Sequence, residues 1–342
     1  MFSKIIRLGV AITGAAILSS CGGSSGQTET QQSTPEGLFQ GSSTVDINST
    51  GVFTTTDPIT TDASGVVTSN HQCTQDMLVF VTYAGSFYSF VTDPTATNPT
   101  AVISASSGTL AFSGGTMSGS SVIEVTPPNG TNAVPYFDKN GHANANPVPN
   151  GSDCGVAITS SVDMINGVTQ VNNEATSPSL TGGYNTAQNI AGTFIYPTEI
   201  NAAGDFKTTT FNIPYDADYQ GVQSLGTLAG TYSGTVATSQ LSETATFTFG
   251  PASVAANSGN EFGVGVVSGT GASGCAYTGT VSPLFRGNGY NLVLTSGPYP
   301  CLLTGTTFSG LVYLDTTHNL LYSFSPNGTR TDGLIFTGTR NL

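Results

Sequence analysis

Tryptophan is absent from the 342 residues, and charge is scarce: seven Lys and Arg, twenty Asp and Glu and three His, with 8% of residues charged against a usual ~25%. So few cations exclude a basic nucleic-acid binder, because neutralised phosphates are what hold such proteins to their ligand. His71, His142 and His318 have no His partner at i+2 or i+4, and no C-x-x-C pair occurs, so the common zinc-ligand spacings are missing. No metal is expected. The longest apolar run, Leu8 to Leu18, is too short to span a bilayer, which takes ~20 residues. Helical stripes are missing as well. With 43 Gly and 17 Pro, a helical array or coiled coil is excluded, because both residues penalise helix interiors.

What is present is β pattern. Thr244 to Phe249 alternates with period two, Tyr290, Leu292 and Leu294 share a face, and so do Cys275, Tyr277, Gly279 and Val281. Thr209, Phe211 and Ile213 do the same. Such alternation marks half-buried strands, and Thr, Val, Tyr and Phe fit a pleated surface. Gly and Pro punctuate the chain every eight to twelve residues, a spacing that predicts a sandwich or a barrel. The expected fold class is therefore all-β, with two antiparallel β domains. A division near residue 225 follows Ile213–Tyr219 and a polar stretch to Thr227. Gly37-Leu38-Phe39-Gln40-Gly41 and Gly230-Thr231-Tyr232-Ser233-Gly234 open the two halves alike. Each half also has an apolar hairpin containing Tyr-Ser-Phe, at 88–90 and 322–324. That order fits a duplicated unit, whereas the spacing between opener and hairpin does not.

The N-terminus reads as an address. Lys4 and Arg7 precede the apolar run, which ends Leu18-Ser19-Ser20-Cys21-Gly22. This resembles the lipobox of bacterial lipoproteins. The resemblance implies cleavage before Cys21, diacylglycerol on its sulfur and a fatty acyl group such as palmitate on the new amino group. Gly22 in place of Asp implies transfer to the outer membrane. Expected boundaries are a signal peptide at 1–20, the lipidated Cys21 and a flexible tether to 35, and β domains at 36–225 and 226–342. By broad architecture the chain is similar to Gram-negative surface lipoproteins such as transferrin-binding protein B and factor H-binding protein. Those pair β domains with an eight-stranded barrel behind a lipidated Cys and a Gly-rich tether. The likeness rests on lipobox and tether, so no binding residues carry over. An integral outer-membrane barrel is disfavoured, since aromatic girdles are its mark and the chain ends on Leu342 without any Trp.

Removal of Lys4 and Arg7 leaves five basic residues against twenty acids, a net charge of −15. That balance disfavours nucleic acid and anionic headgroups as partners; the membrane partner is reached through the N-terminal lipid. Four cysteines then remain, an even number that in an exported protein points to two disulfides. Pairing within each half gives Cys73–Cys154 and Cys275–Cys301. For the second pair, a hairpin loop at 287–289 would set the two cysteines opposite each other.

Chemistry-bearing motifs are few. Gly22 to Gly26 satisfies G-x-S-x-G inside the tether, and Gly269 to Gly274 satisfies G-x-G-x-x-G ahead of a strand rather than a helix, so neither has the context it needs. No cofactor and no catalytic residue is expected. The acids Asp216 and Asp218, flanked by Tyr215 and Tyr219, would project on one face of an extended segment. Such a pair suits calcium or glycoside hydrolysis, and solvated edge charges equally. The loop Pro127–Asp153, rich in Pro, Asn and Gly, reads as an extended surface segment. Three functions stay open: a non-enzymatic outer-membrane lipoprotein that binds a protein or small molecule or has a structural role, a periplasm-facing envelope assembly accessory, and a hydrolase with an acidic site.

Overall fold

The alternating segments at 209–213, 244–249, 277–281 and 290–294 all lie in strands, and the ladders show how the strands close. The computed structural model describes residues 35–46, 72–92, 102–127, 161–165, 168–172, 175–200, 206–221, 224–254 and 263–341. In chain order the strands are β1 (Gly37–Asp46), β2 (Gln72–Val81), β3 (Ser86–Thr92), β4 (Val102–Ser113), β5 (Thr116–Val125), β6 (Ser161–Ile165), β7 (Val168–Asn172), β8 (Ala175–Thr176), β9 (Ser179–Asn185), β10 (Asn189–Ile200) and β11 (Phe206–Asp216). There follow β12 (Gly230–Ala237), β13 (Ser242–Val254), β14 (Val264–Gly271), β15 (Ala276–Pro283), β16 (Gly289–Ser296), β17 (Thr307–Asp315), β18 (Leu320–Pro326) and β19 (Gly333–Arg340).

Both sheets are eight-stranded antiparallel barrels. In the first, β1 to β5 run in order, β5 pairs with β9, and β11 returns to β1. The short β8 hangs on β5, and β6–β7 forms a separate hairpin within the excursion between β5 and β9. In the second, β12 to β19 form an uninterrupted meander closed by the β12–β19 ladder. Closure leaves no free edge in either ring.

The interior of the second barrel is filled. Tyr232, Phe247, Phe249, Tyr277, Tyr290, Phe308 and Phe336 are buried among Leu, Val and the two cysteines, with Phe247 and Phe336 rings 4.5 Å apart. The outward positions of β12 and β13 are Thr231, Ser233, Thr235, Thr244, Thr246 and Thr248, and across the ladder Thr231 hydrogen-bonds Thr248 and Ser233 hydrogen-bonds Thr246. A hydroxyl face on these two strands over an aromatic core is the reverse of the arrangement in a membrane-spanning barrel, whose outer band is apolar. Among the described residues no helix is long and apolar enough to cross a membrane.

The first barrel is filled by Phe39, Met77, Val79, Phe87, Met117, Leu180, Phe194, Phe211 and Ile213, among others. Part of the outer face of β1 to β3 is buried as well, while Gln40, Ser42 and Asp76 on it stay exposed. Leu38, Leu78, Phe80 and Phe90 point outward and meet Leu311, Tyr313, Phe324 and Ile335 of the second barrel. The two Tyr-Ser-Phe hairpins therefore face each other, with Phe90 and Tyr322 rings 5.4 Å apart. They are not equivalent repeats, because one is strands two and three of its barrel and the other strands six and seven. That position explains the unequal spacing. The openers do correspond: each begins the first strand of a barrel and sends Phe39 or Tyr232 inward.

The polar stretch before Leu228 is a plug rather than a plain linker. Ser224 caps a single helical turn, Leu225–Leu228, accepting from the Thr227 N–H at 3.2 Å. Leu225 and Leu228 enter the second core. The phenols of Tyr232 and Tyr290 donate to the carbonyls of Leu228 and Ser224, each at 2.9 Å. The Arg340 guanidinium donates to the carbonyls of Thr227 and Ala229. Aromatic side chains thus bury their apolar bodies while their polar tips meet backbone carbonyls of the plug.

Cys275 and Cys301 form a disulfide with Cα atoms 4.6 Å apart, though not by the register expected. Pro283 pairs with Tyr290 and Tyr277 with Ser296, a ladder three residues away from one that would oppose the cysteines. The hairpin loop covers 285–288, because Leu284 N–H reaches the Gly289 carbonyl at 3.0 Å. Beyond the ladder, the chain turns at Pro298, whose carbonyl accepts from Cys301 N–H at 3.1 Å, and this turn brings Cys301 back to Cys275. On the loop-entropy view the bridge contributes about 3.5 kcal/mol. Cys21, Cys154 and the Cys73 side chain lie outside the described residues, as do His71, His142, the loop at 128–153 and the segments read as signal peptide and tether.

Candidate functional site

The acidic pair does not form the face expected of it. β11 stops at Asp216, and Ala217–Gln220 is a 3-10 helix. The Asp216 carboxylate accepts from the Asp218 N–H at 2.9 Å, capping that turn. Asp218 is exposed, while Tyr219 turns inward onto Phe80 at 5.4 Å between ring centroids. Asx capping satisfied the backbone locally, and the alternation of a strand ended there. Among the described residues no group of three His, Cys, Asp or Glu is placed to hold a metal ion.

A His–Asp contact appears where the sequence offered only a turn. His318 Nδ1 lies 2.6 Å from Asp315 Oδ2, and Asp315 Oδ1 accepts from the N–H groups of Thr317 and His318. The carboxylate raises the His318 pKa, chiefly through the hydrogen bond and then through its charge. The ring itself is open to solvent, and the carboxylate organises the β17–β18 turn. The signal in the sequence was the D-x-x-H spacing.

Two depressions open on outer surfaces rather than inside a barrel. One, about 560 Å³, runs along β12, β13 and β14 and is lined by Ser233, Thr235, Thr244, Thr246 and Thr270 together with Gly and Ala backbone. The other, about 230 Å³, sits at the rim of the inter-barrel junction, with Gln40, Ser42, Asp76, Thr92 and Tyr322 on its walls. Inside the first barrel a polar row crosses three strands. Ser89 pairs with Ser106, and Ser106 with Glu124, with Ser106 Oγ donating to Glu124 Oε2 at 3.2 Å.

The junction is locked by a basic residue no motif marked. Arg330, in the β18–β19 loop, donates from Nε to the Ser121 carbonyl and from Nη2 to the Ser107 carbonyl and hydroxyl, all at 2.8 Å. Hydrogen bonds from a charged fork are among the stronger kind. Arg330→Ala is expected to cost about 2 kcal/mol, and Arg330→Lys to recover only part, since an ammonium cannot reproduce the fork. Urea unfolding of the two variants checks this; equal midpoints for Arg330→Ala and the parent would refute the lock.

A scan against protein-family models and a search of curated proteins found no match. Solved structures that resemble this chain include an outer-membrane protein, by provisional assignment, from Bacteroides fragilis NCTC 9343. Identity is 10% and the TM-score 0.25, over 90% of this chain and 98% of that one. A double mutant of the vaccine antigen transferrin-binding protein B from Haemophilus parasuis Hp5 matches at 10% identity and a TM-score of 0.27, over 90% of this chain and 76% of the other. The intact Ap-TbpB, with N and C lobes, matches at 11% identity and a TM-score of 0.18, over 90% and 78%. At these values no residue, ligand or activity is carried from those proteins to this chain.

Proposed function

We propose that this chain is a lipid-anchored outer-membrane lipoprotein with a non-enzymatic role, binding a protein partner or serving the structure of the envelope. The observation that carries this reading is the packing of both barrel interiors with aromatic and aliphatic side chains. A barrel that holds a small ligand needs an open lumen, so a filled one leaves the loops and outer faces for recognition. The lipobox Leu18-Ser19-Ser20-Cys21 supplies the anchor in this reading. The chain then divides into a lipidated Cys21 with its tether to 35 and β domains at 36–225 and 226–342. The capping role of Asp216 speaks against the acidic hydrolase.

The test is metabolic labelling with palmitate and fractionation of cells producing the parent or Cys21→Ser. Label and membrane association are expected for the parent, and loss of both for the variant. An unlabelled parent in the soluble fraction overturns the anchor. Protease added to intact cells then separates the two orientations: degradation marks a surface protein, survival an inward-facing assembly accessory.

A further inference from the structure

Phe285 and Tyr83 are 68% and 50% exposed, and they come from different barrels. Tyr83 sits in the turn between β2 and β3, and Phe285 in the loop between β15 and β16. The Arg286 guanidinium lies 4.6 Å from the Tyr83 ring centroid and 5.9 Å from that of Phe285. Its Nη1 is 3.5 Å from Glu36 Oε1. Behind the loop, Gly287 has φ +83° and lies against Tyr219, where a Cβ would meet the ring at 2.4 Å. The loop therefore has a fixed seat, and its aromatic side chain is aimed at solvent.

Glu36 stands at the start of the described body, so the chain coming from Cys21 arrives at this patch. Thirteen residues, 22–34, lie between Cys21 and Pro35. Even fully extended, that length keeps the patch within about 50 Å of the anchor, and a random coil would hold it at ~20 Å. We propose that the Tyr83–Arg286–Phe285 patch rests on the phospholipid surface beside the anchor, orienting the barrels on the bilayer. The proposal rests on lipidation of Cys21. The amphipathic Tyr83 ring, the apolar Phe285 ring and an arginine that can extend its head to the phosphates suit the boundary between headgroups and acyl chains. Two aromatics would bind a bilayer weakly alone, but the anchor makes the contact intramolecular, at an effective concentration in the mM range. The chain is strongly acidic, so the contact is apolar and aromatic rather than an attraction to anionic lipid.

The opposite end of the second barrel faces away. β16 separates the 285–288 loop from the 297–306 loop, and its eight residues span about 24 Å. Tyr299 in that far loop is 91% exposed.

The absence of tryptophan makes the test direct. Phe285→Trp and Tyr299→Trp each introduce a lone indole at an exposed position. The lipidated chains are reconstituted in phosphatidylethanolamine vesicles containing phosphatidylcholine with brominated acyl chains. The Phe285→Trp emission is expected to shift to the blue and to be quenched about twofold or more, as for an interfacial aromatic. Tyr299→Trp is expected to keep its aqueous emission. Tyr83→Ala in the Phe285→Trp background should weaken the quenching. If both chains float with the vesicles but Phe285→Trp is no more quenched than Tyr299→Trp, the docking is overturned while the anchor stands; a protein partner at the patch would give this result. If neither chain floats, anchor and docking fall together.

Discussion

Gly234→Ala is expected to open the second barrel at its closing seam. Gly234 pairs with Gly338 across β12 and β19. A Cβ on it would lie 1.8 Å from the Thr337 carbonyl oxygen and 2.4 Å from the Gly338 Cα. These are backbone atoms held by the ladder, so no side chain can swing aside and the strands themselves must part. The expected cost is about 3 kcal/mol or more, or a Tm lower by about 4 °C or more for a protein of this size. The equivalent glycine of the first opener, Gly41, is less demanding: its nearest obstacle is the Ile213 Cγ2 methyl at 2.9 Å, which can give. Gly328→Ala, with nothing within 4 Å, serves as the control and should be close to neutral. Thermal unfolding followed by near-ultraviolet circular dichroism ranks the three. A Gly234→Ala protein as stable as the Gly328→Ala control would refute the seam argument.

Raising the pH above 10 should unfold the barrels through their tyrosines. Burial pushes the Tyr277 phenol up to about 12, helped by the charge of Glu243. Burial does the same for Tyr322, also to about 12, with Asp315 and Asp76 adding to it. Tyr219, Tyr232, Tyr290 and Tyr313 are raised too, in each case chiefly by burial. In the unfolded chain these groups lose their protons near 10. Between there and about 12 the unfolded state has released protons that the folded state retains, so stability declines as pH rises. The contribution is complete below pH 10 and is lost through the folded pKa. Each buried phenol steepens the decline by about 1.4 kcal/mol per pH unit. Tyrosinate absorbance and ellipticity should therefore change together, later than for free tyrosine. Ionisation near 10 with ellipticity unchanged would contradict this. Tyr277→Phe should make the decline shallower.

Alternation identified the strands that face water on one side. β13, β14 and β16 read inward and outward in turn, because their outer face meets solvent. β2, β17 and β18 read instead as apolar hairpin runs. Met77 to Val81 is apolar at every position and buried throughout, since one face lines a barrel and the other meets the second barrel. A continuous apolar run reports burial on two faces without naming what covers the second. The paired Tyr-Ser-Phe hairpins were visible as a likeness, and their contact with each other was not. Local pattern also failed at Asp216, where a side chain capping its own backbone competed with the strand, and at the β15–β16 hairpin. There the predicted loop 287–289 lay three residues off in register, because the Gly289 carbonyl pairs with Leu284.

Composition and periodicity by themselves determined that this chain is all-β, strongly acidic and free of a helical core, because those properties reside in residue counts and neighbouring positions. Only the tertiary structure decided that the sheets close into two eight-stranded rings, that 224–229 stoppers one of them, and that Arg330, Arg286 and Arg340 each tie together segments remote in sequence. Those features depend on which residues meet after the chain has folded back over a hundred positions or more. No window along a single sequence contains that information, since side chains that share a contact there share neither spacing nor period.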